Sequence, residues 1–227
     1  MNKISIVIPI LNEAEGIISL LKYLITNSSK ETVSEIIVVD GGSTDGSQNI
    51  VSKFKEATLL TSEKGRAKQM NLGAKHATGN ILYFLHADSF PPENFDVLII
   101  KNHTQAGCFR MQFNSTHWWL KLCSWFTQFN WRICRGGDQS LFITKSMFNS
   151  IGGYNENFTI CEDSVITKEL YKRKCFKVIN KKLKTSARLY EKQGTWKVQY
   201  HFLIIHLKYW LGADSQNLYN YYKKHLC

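Results

Sequence analysis

Two short runs decide the fold: Lys3-Ile4-Ser5-Ile6-Val7-Ile8-Pro9, and Ile36-Ile37-Val38-Val39-Asp40-Gly41-Gly42-Ser43-Thr44-Asp45-Gly46. Each is a near-continuous apolar run closed by turn residues, as in a parallel strand covered on both faces. Between them Ile17, Ile18, Leu21, Leu24 and Ile25 fall on one face of a helix that Asn12 can cap. A helix over about 46–55, a short strand near Thr58–Thr61 and a helix over about 66–76 follow. Thr78-Gly79 breaks the chain before a strand at Ile81–Leu85, which runs into His86-Ala87-Asp88 and a helix start at Pro91-Pro92. This alternation predicts an α/β domain with a mainly parallel sheet and right-handed crossovers.

Beyond residue 100 the pattern loosens. Strands are expected at Cys108–Phe113 and Leu141–Thr144, an aromatic helical stretch over 117–132, and a helix over 163–173. Further strands are expected near 175–180 and 185–190, then helices over 195–211 and 215–224. The resulting division is one domain over 1–190 with a basic, aromatic helical extension over 191–227 packed on it.

Composition narrows the class. The 227 residues are 44% hydrophobic and 21% charged, as in ordinary globular chains. Six scattered cysteines without a C-x-x-C pair argue against a zinc site or disulfide framework and for a reducing, cytoplasmic setting. The first apolar run is too short for a signal peptide, and no stretch of eighteen apolar residues predicts a membrane span. Residues 1–164 carry 15 basic and 15 acidic side chains, whereas residues 165–208 carry 12 basic and 2 acidic ones. So local a basic segment points to a local anionic partner rather than to nucleic acid along the whole chain; solvated lysines are the plainer reading.

Ligands of open α/β sheets sit at the carboxyl ends of the strands. Asp40 and Asp88 stand at two such ends, where a carboxylate can accept from a ribose or base, or hold a metal that bridges phosphates. Neither G-x-G-x-x-G nor G-x-x-x-x-G-K-[ST] is present, which counts against dinucleotide and P-loop enzymes.

The run Ser5–Pro9 with Asn12-Glu13, the Val38–Gly46 run, and Arg66-x-x-x-x-Asn71-x-Gly73-Ala74 together resemble family-two glycosyltransferases of the GT-A fold. The pattern continues in order through Gly79-x-Ile81-x-x-Phe84-Leu85-His86-Ala87-Asp88, Gly152-Gly153-Tyr154 and Glu162-Asp163. His86-Ala87-Asp88 with Gly136-Gly137-Asp138-Gln139 resembles a narrower bacterial subgroup. The resemblance implies a nucleotide-sugar site bordered by Pro9, Asn12, Glu13, Asp40, Arg66, Asn71 and Ala87. It implies a divalent metal (Mn²⁺ or Mg²⁺) at Asp88, with His86 in place of the family's first aspartate as direct or indirect ligand. It further implies Asp163 as general base beside Glu162, and an acceptor side lined by Gly137, Asp138 and Gln139. Inverting transfer needs such a pair of functions: a base for the attacking hydroxyl and charge neutralisation at the leaving diphosphate.

Plainer roles compete at several positions. Asp40 and Asp45 also suit turn and helix capping, Glu162 and Asp163 suit a helix N-terminus, and the aromatic stretch suits a core. A sugar-phosphate nucleotidyltransferase would want a Gly- and Arg-rich loop after the first strand, which is absent; an inactive nucleotide-sugar-binding module remains a rival. The aromatic tail, Trp196 to Leu211, beside Lys181, Lys182 and Lys184 suggests work at the inner face of a membrane on a lipid-linked acceptor.

Overall fold

A computed structural model describes residues 2–102, 104–136 and 139–226. The first half alternates as expected: β1 (Ile4–Ile10), α1 (Ala14–Asn27), β2 (Val33–Asp40), α2 (Ser47–Val51), β3 (Ala57–Thr61), α3 (Arg66–His76) and β4 (Ile81–Phe84). Then come β5 (Ser89–Phe90), α4 (Phe95–Lys101), β6 (Ala106–Phe113), α5 (Trp118–Phe126), a 3₁₀ turn (Arg132–Cys134), β7 (Leu141–Thr144) and α6 (Lys145–Ser150). The chain finishes with α7 (Glu162–Lys172), β8 (Phe176–Thr185), α8 (Arg188–Gln193), α9 (Thr195–Trp210) and α10 (Ser215–Leu226).

Among the described residues eight strands form one sheet in the order β3-β2-β1-β4-β7-β6-β8-β5. Pairs β1–β2, β1–β4, β2–β3 and β6–β8 are parallel, while β7 runs antiparallel to β4 and β6 and β5 runs antiparallel to β8. Alternate residues of β1 serve the two faces. Ile4, Ile6, Ile8 and Ile10 join α1 and Phe95 of α4, and Val7 joins α3 on the other side. The approach of α3 requires glycine: a Cβ on Gly73 would stand 2.4 Å from Val7 Cγ1. A third apolar cluster lies under the C-terminal helices, where Met111, Phe113 and Leu120 meet Tyr190, Val198, Ile205 and Leu218.

Several local expectations are corrected. Asn12 does not cap α1; it adopts a left-handed φ of 57° and its carboxamide turns to the next loop. The helix expected over 46–55 is the single turn-and-a-half of α2, and the helix after Pro91-Pro92 starts only at Phe95. The two strands expected near 175–180 and 185–190 are one strand, β8, followed by helix α8. A register shift opposite Phe109/Arg110 lets β8 carry the exposed Asn180-Lys181-Lys182 segment without leaving the sheet. The aromatic stretch over 117–132 is helical only to Phe126, and much of it is not core: Trp118, Trp125, Phe126 and Trp131 are exposed.

Candidate active site

The loops after β1 and β2 are built as one unit. Asn12 N–H donates to Ser43 Oγ (2.8 Å) and Thr44 N–H donates to Asn12 Oδ1 (2.9 Å). Glu13 N–H donates to Ser47 Oγ (3.0 Å), and Asp45 caps α1 from the neighbouring loop by accepting from Ala14 N–H (2.9 Å). Asp45 also accepts from Ser47 N–H and Oγ at the start of α2. Its capping role is therefore the plainer of the two roles read from sequence. Behind both loops the buried Gln69 amide donates to the carbonyls of Ile10 (2.8 Å) and Val39 (2.7 Å), tying the ends of β1 and β2 together. Gln69 carries no motif signal, only its place one helical turn after Arg66.

Asp40 is fully buried at the end of β2. Its carboxylate accepts from Gly42 N–H (2.9 Å), Ser43 N–H (3.0 Å) and Gln48 Nε2 (2.6 Å). Burial alone would raise its pKa; bonds from Ser43, Gln48 and Gly42 outweigh it and hold the carboxyl below the usual range. Here Asp40 organises the loop after β2, and Pro9 lies beside Val39 near the carboxyl ends of the same two strands.

At the end of β4, His86 and Asp88 are half-buried and Ala87 is buried. The Ala87 carbonyl faces Gly16 in the first turn of α1, near the Glu13 carboxylate. An unforeseen group enters here. Arg188 of α8 binds Glu13 through Nη2, at 3.1 and 3.2 Å to its two oxygens. Burial raises the Glu13 pKa; Arg188 opposes the rise, and the charges of Asp88 and Asp45 add to it. The Arg188 guanidinium is held above its ordinary pKa by Glu13 first, with Asp88 and Glu15 contributing. Glu13, Asp88 and Arg188 thus share one electrostatic neighbourhood.

A second charged set is built at the acidic start of α7. Arg66, from the first turn of α3, reaches Glu162 (3.3 Å) and Asp163 (3.9 Å). Glu162 is buried and Asp163 is nearly so, and both lie in the first helical turn, where the peptide dipoles favour anions. Cys161 precedes them at a left-handed φ of 64°, its thiol pKa pushed up to about 12 by burial and then by Glu162 and Asp163. Asn71 is clamped on the backbone of Tyr154, donating to its carbonyl and accepting from its N–H, both at 2.9 Å. Gly153, with φ 74°, makes that clamp possible, since a Cβ there would stand 2.9 Å from Asn71 Oδ1.

Gln139 is buried. Its Oε1 accepts from Arg135 Nη1 (2.9 Å) and its amide donates to the Cys134 carbonyl (2.8 Å), so it braces the segment from within. Gly137 and Asp138 lie outside the described residues, as does His103.

The residues suit a divalent cation only in part. Among the described residues no three His, Cys, Asp or Glu side chains gather as a metal-holding group. Asp88 receives one long contact, from Ser89 Oγ (3.4 Å). One carboxylate at a strand end fits a cation that takes most of its oxygen ligands from a substrate diphosphate and water, a common arrangement for Mg²⁺.

The sheet order and the strand-end site define a GT-A-type α/β fold, and solved structures share it. TarS 1–349 of S. aureus, in complex with UDP, aligns with a TM-score of 0.68 and 18% identity, covering 82% of this chain and 60% of that one. The mannosyltransferase PcManGT from Pyrobaculum calidifontis, in complex with GDP-Man and Mn²⁺, aligns with a TM-score of 0.69 and 18% identity, covering 90% and 62%. The chain belongs to glycosyl transferase family 2, whose model matches residues 5–177. It is 31% identical over 98 residues to glycosyltransferase AglE of Haloferax volcanii, covering 40% of this chain and 32% of that protein. It is 33% identical over 112 residues to an undecaprenyl-phosphate 4-deoxy-4-formamido-L-arabinose transferase of Enterobacter sp., covering 44% and 34%. The matched stretch is thus about a third of the length of these relatives.

Proposed function

We propose that this protein transfers a sugar from a nucleotide-diphosphate sugar to an acceptor hydroxyl, with inversion and with help from a divalent metal. The observation that carries the reading is the assembly of two charged sets from segments far apart in the sequence. Glu13, Asp88 and Arg188 form one, and Arg66 with Glu162 and Asp163 the other. The solved neighbours with UDP and with GDP-Man and Mn²⁺ support the donor class and the metal.

The interlocked Asn12–Ser47 loops, held by Asp40, border the nucleotide. Asp88, with His86 beside it, would hold the cation, which neutralises charge on the leaving diphosphate when bound. Arg188, beside Glu13 and Asp88, would add fixed positive charge for that diphosphate. At the acceptor, Asp163 takes the hydroxyl proton as the oxygen attacks the anomeric carbon from the face opposite the diphosphate. The new carbon–oxygen bond forms as the old one breaks, and the electron pair leaves with the nucleoside diphosphate. Arg66 and the first turn of α7 orient Asp163 for that step.

A relative named as an undecaprenyl-phosphate 4-deoxy-4-formamido-L-arabinose transferase supports an acceptor presented on a lipid, met at the inner face of a membrane. Contact with that membrane is read as peripheral; no helix among the described residues is long and apolar enough to cross one.

Thermal shift with UDP- and GDP-sugars, with and without Mn²⁺, tests the donor. A bound species should raise the Tm, more so with metal, and Asp88→Asn should remove the metal-dependent part. No shift with any nucleotide-diphosphate sugar at millimolar concentration would refute the reading, and binding without turnover would leave the inactive module.

A further inference from the structure

Along α9, Trp196, Tyr200, Leu203, Leu207 and Trp210 recur at alternating spacings of four and three, and each is 46–60% exposed. The opposite side of the helix is already spent on the protein, through the buried Val198 and Ile205. A second exposed stripe on α5, Trp118, Leu122, Trp125 and Phe126, meets the first where Trp118 lies 5.9 Å from Trp196 between ring centroids. The two stripes adjoin at that contact, and contiguous exposed apolar side chains of this kind mark interaction surfaces.

The charge on this face selects its occupant. Neither 114–136 nor 192–213 contains an Asp or Glu, whereas Lys121, Arg132, Lys197 and Lys208 all fall within them. In a twofold dimer the same patch meets itself, so a second copy would bring cation against cation. An anionic leaflet has the opposite sign, and Trp and Tyr favour its headgroup level. At the C-terminal end of α9 a hollow of about 790 Å³ is lined by Arg132, Lys168, Phe158, Tyr209, Trp210 and Asp214. Asp214 is occupied in capping α10 through Asn217 N–H (2.8 Å) and its amide (2.7 Å). Arg132 and Lys168 make no ion pair among the described residues.

We infer that α5 and α9 are the membrane-docking surface, with α9 lying in the plane of an anionic leaflet and a lipid phosphate seated between Arg132 and Lys168. The inference rests on the peripheral reading above and sharpens it. The lysines at 181, 182 and 184 line a different hollow, beside Tyr23 and Pro91–Asn94; they add general attraction and are not the docking face.

Flotation of the full chain with phosphatidylglycerol/phosphatidylcholine vesicles, against pure phosphatidylcholine, tests it. The native protein should float with the anionic vesicles. Leu203→Glu with Leu207→Glu should cut binding by about tenfold or more, since the apolar face supplies the insertion. Arg132→Gln with Lys168→Gln should cut the preference for anionic vesicles by roughly tenfold. Both positions of the first pair are exposed, so folding should survive, and the nucleotide-sugar thermal shift on the same preparations confirms it. That shift also separates the two readings: a retained shift without flotation overturns the docking face alone. Unchanged flotation of the double-Glu variant overturns the docking face. So does its loss only in the Lys181, Lys182 and Lys184→Gln triple variant. A dimer in sedimentation that the double-Glu variant dissociates, without vesicle binding, would show a second copy there instead.

Discussion

The β1 and β2 loops and the α5–α9 face are opposite solutions to surface exposure. The loops contain few apolar groups, and their polar groups are cross-linked: Asn12, Ser43, Asp45 and Ser47 satisfy one another's backbones, with Asp40 and Gln69 behind them. The α5–α9 face has large rings and few bonds. The first arrangement fixes geometry before a ligand arrives, which chemistry at a diphosphate demands. The second fixes little and suits a partner without fixed geometry.

The strongest way to break this contrast lies at the rigid end. Asp163→Asn should cut turnover by roughly 10²–10⁴-fold while nucleotide-sugar binding changes little. Steady-state kinetics beside thermal shift would read this, and full activity in the variant would remove Asp163 from the chemistry.

Next in size is a packing pair. Gly73→Ala forces a methyl onto Val7 and should cost about 1–3 kcal/mol of stability. Leu203→Ser on the exposed stripe should stay within about 0.5 kcal/mol. Equal losses in urea unfolding would mean that the stripe is covered by protein.

A smaller effect should follow pH. Because the folded pKa of Asp40 is lowered, its contribution is present above the ordinary carboxylate range and lost as pH falls through the folded value. The native protein should lose stability on acidification below about pH 4, and Asp40→Asn should flatten that slope. An unchanged slope would mean that the loop bonds do not depend on the charge.

How far the sequence could be read follows the same division. Strands β1 and β2 stand out because they are short, near-continuous apolar runs closed at Pro9 and at Asp40-Gly41-Gly42, and the signal is local. The bond between Glu13 and Arg188 spans 175 positions, and nothing near Arg188 distinguishes it from the other cations of its segment. Strand β8 was obscured by Asn180-Lys181-Lys182, whose polarity suggests a break; a register shift carries the strand through. The hydrogen-bond partners of Asn71 and Gln139 are hidden for a related reason. A motif marks the position of an amide, while its direction, toward Tyr154 or toward Arg135, depends on segments packed later.

The Glu13–Arg188 pair also has a consequence for synthesis on the ribosome. Glu13 leaves the exit tunnel long before Arg188, by roughly 9–35 seconds at translation rates of about 5–20 residues per second. From the emergence of Asp88 until that of Arg188, a native-like arrangement of β1, α1 and β4 would hold the Glu13 carboxylate near Asp88 without its counter-cation. Donor affinity in stalled nascent chains should therefore appear as a late step, once α8 has emerged, and not grow gradually with the sheet.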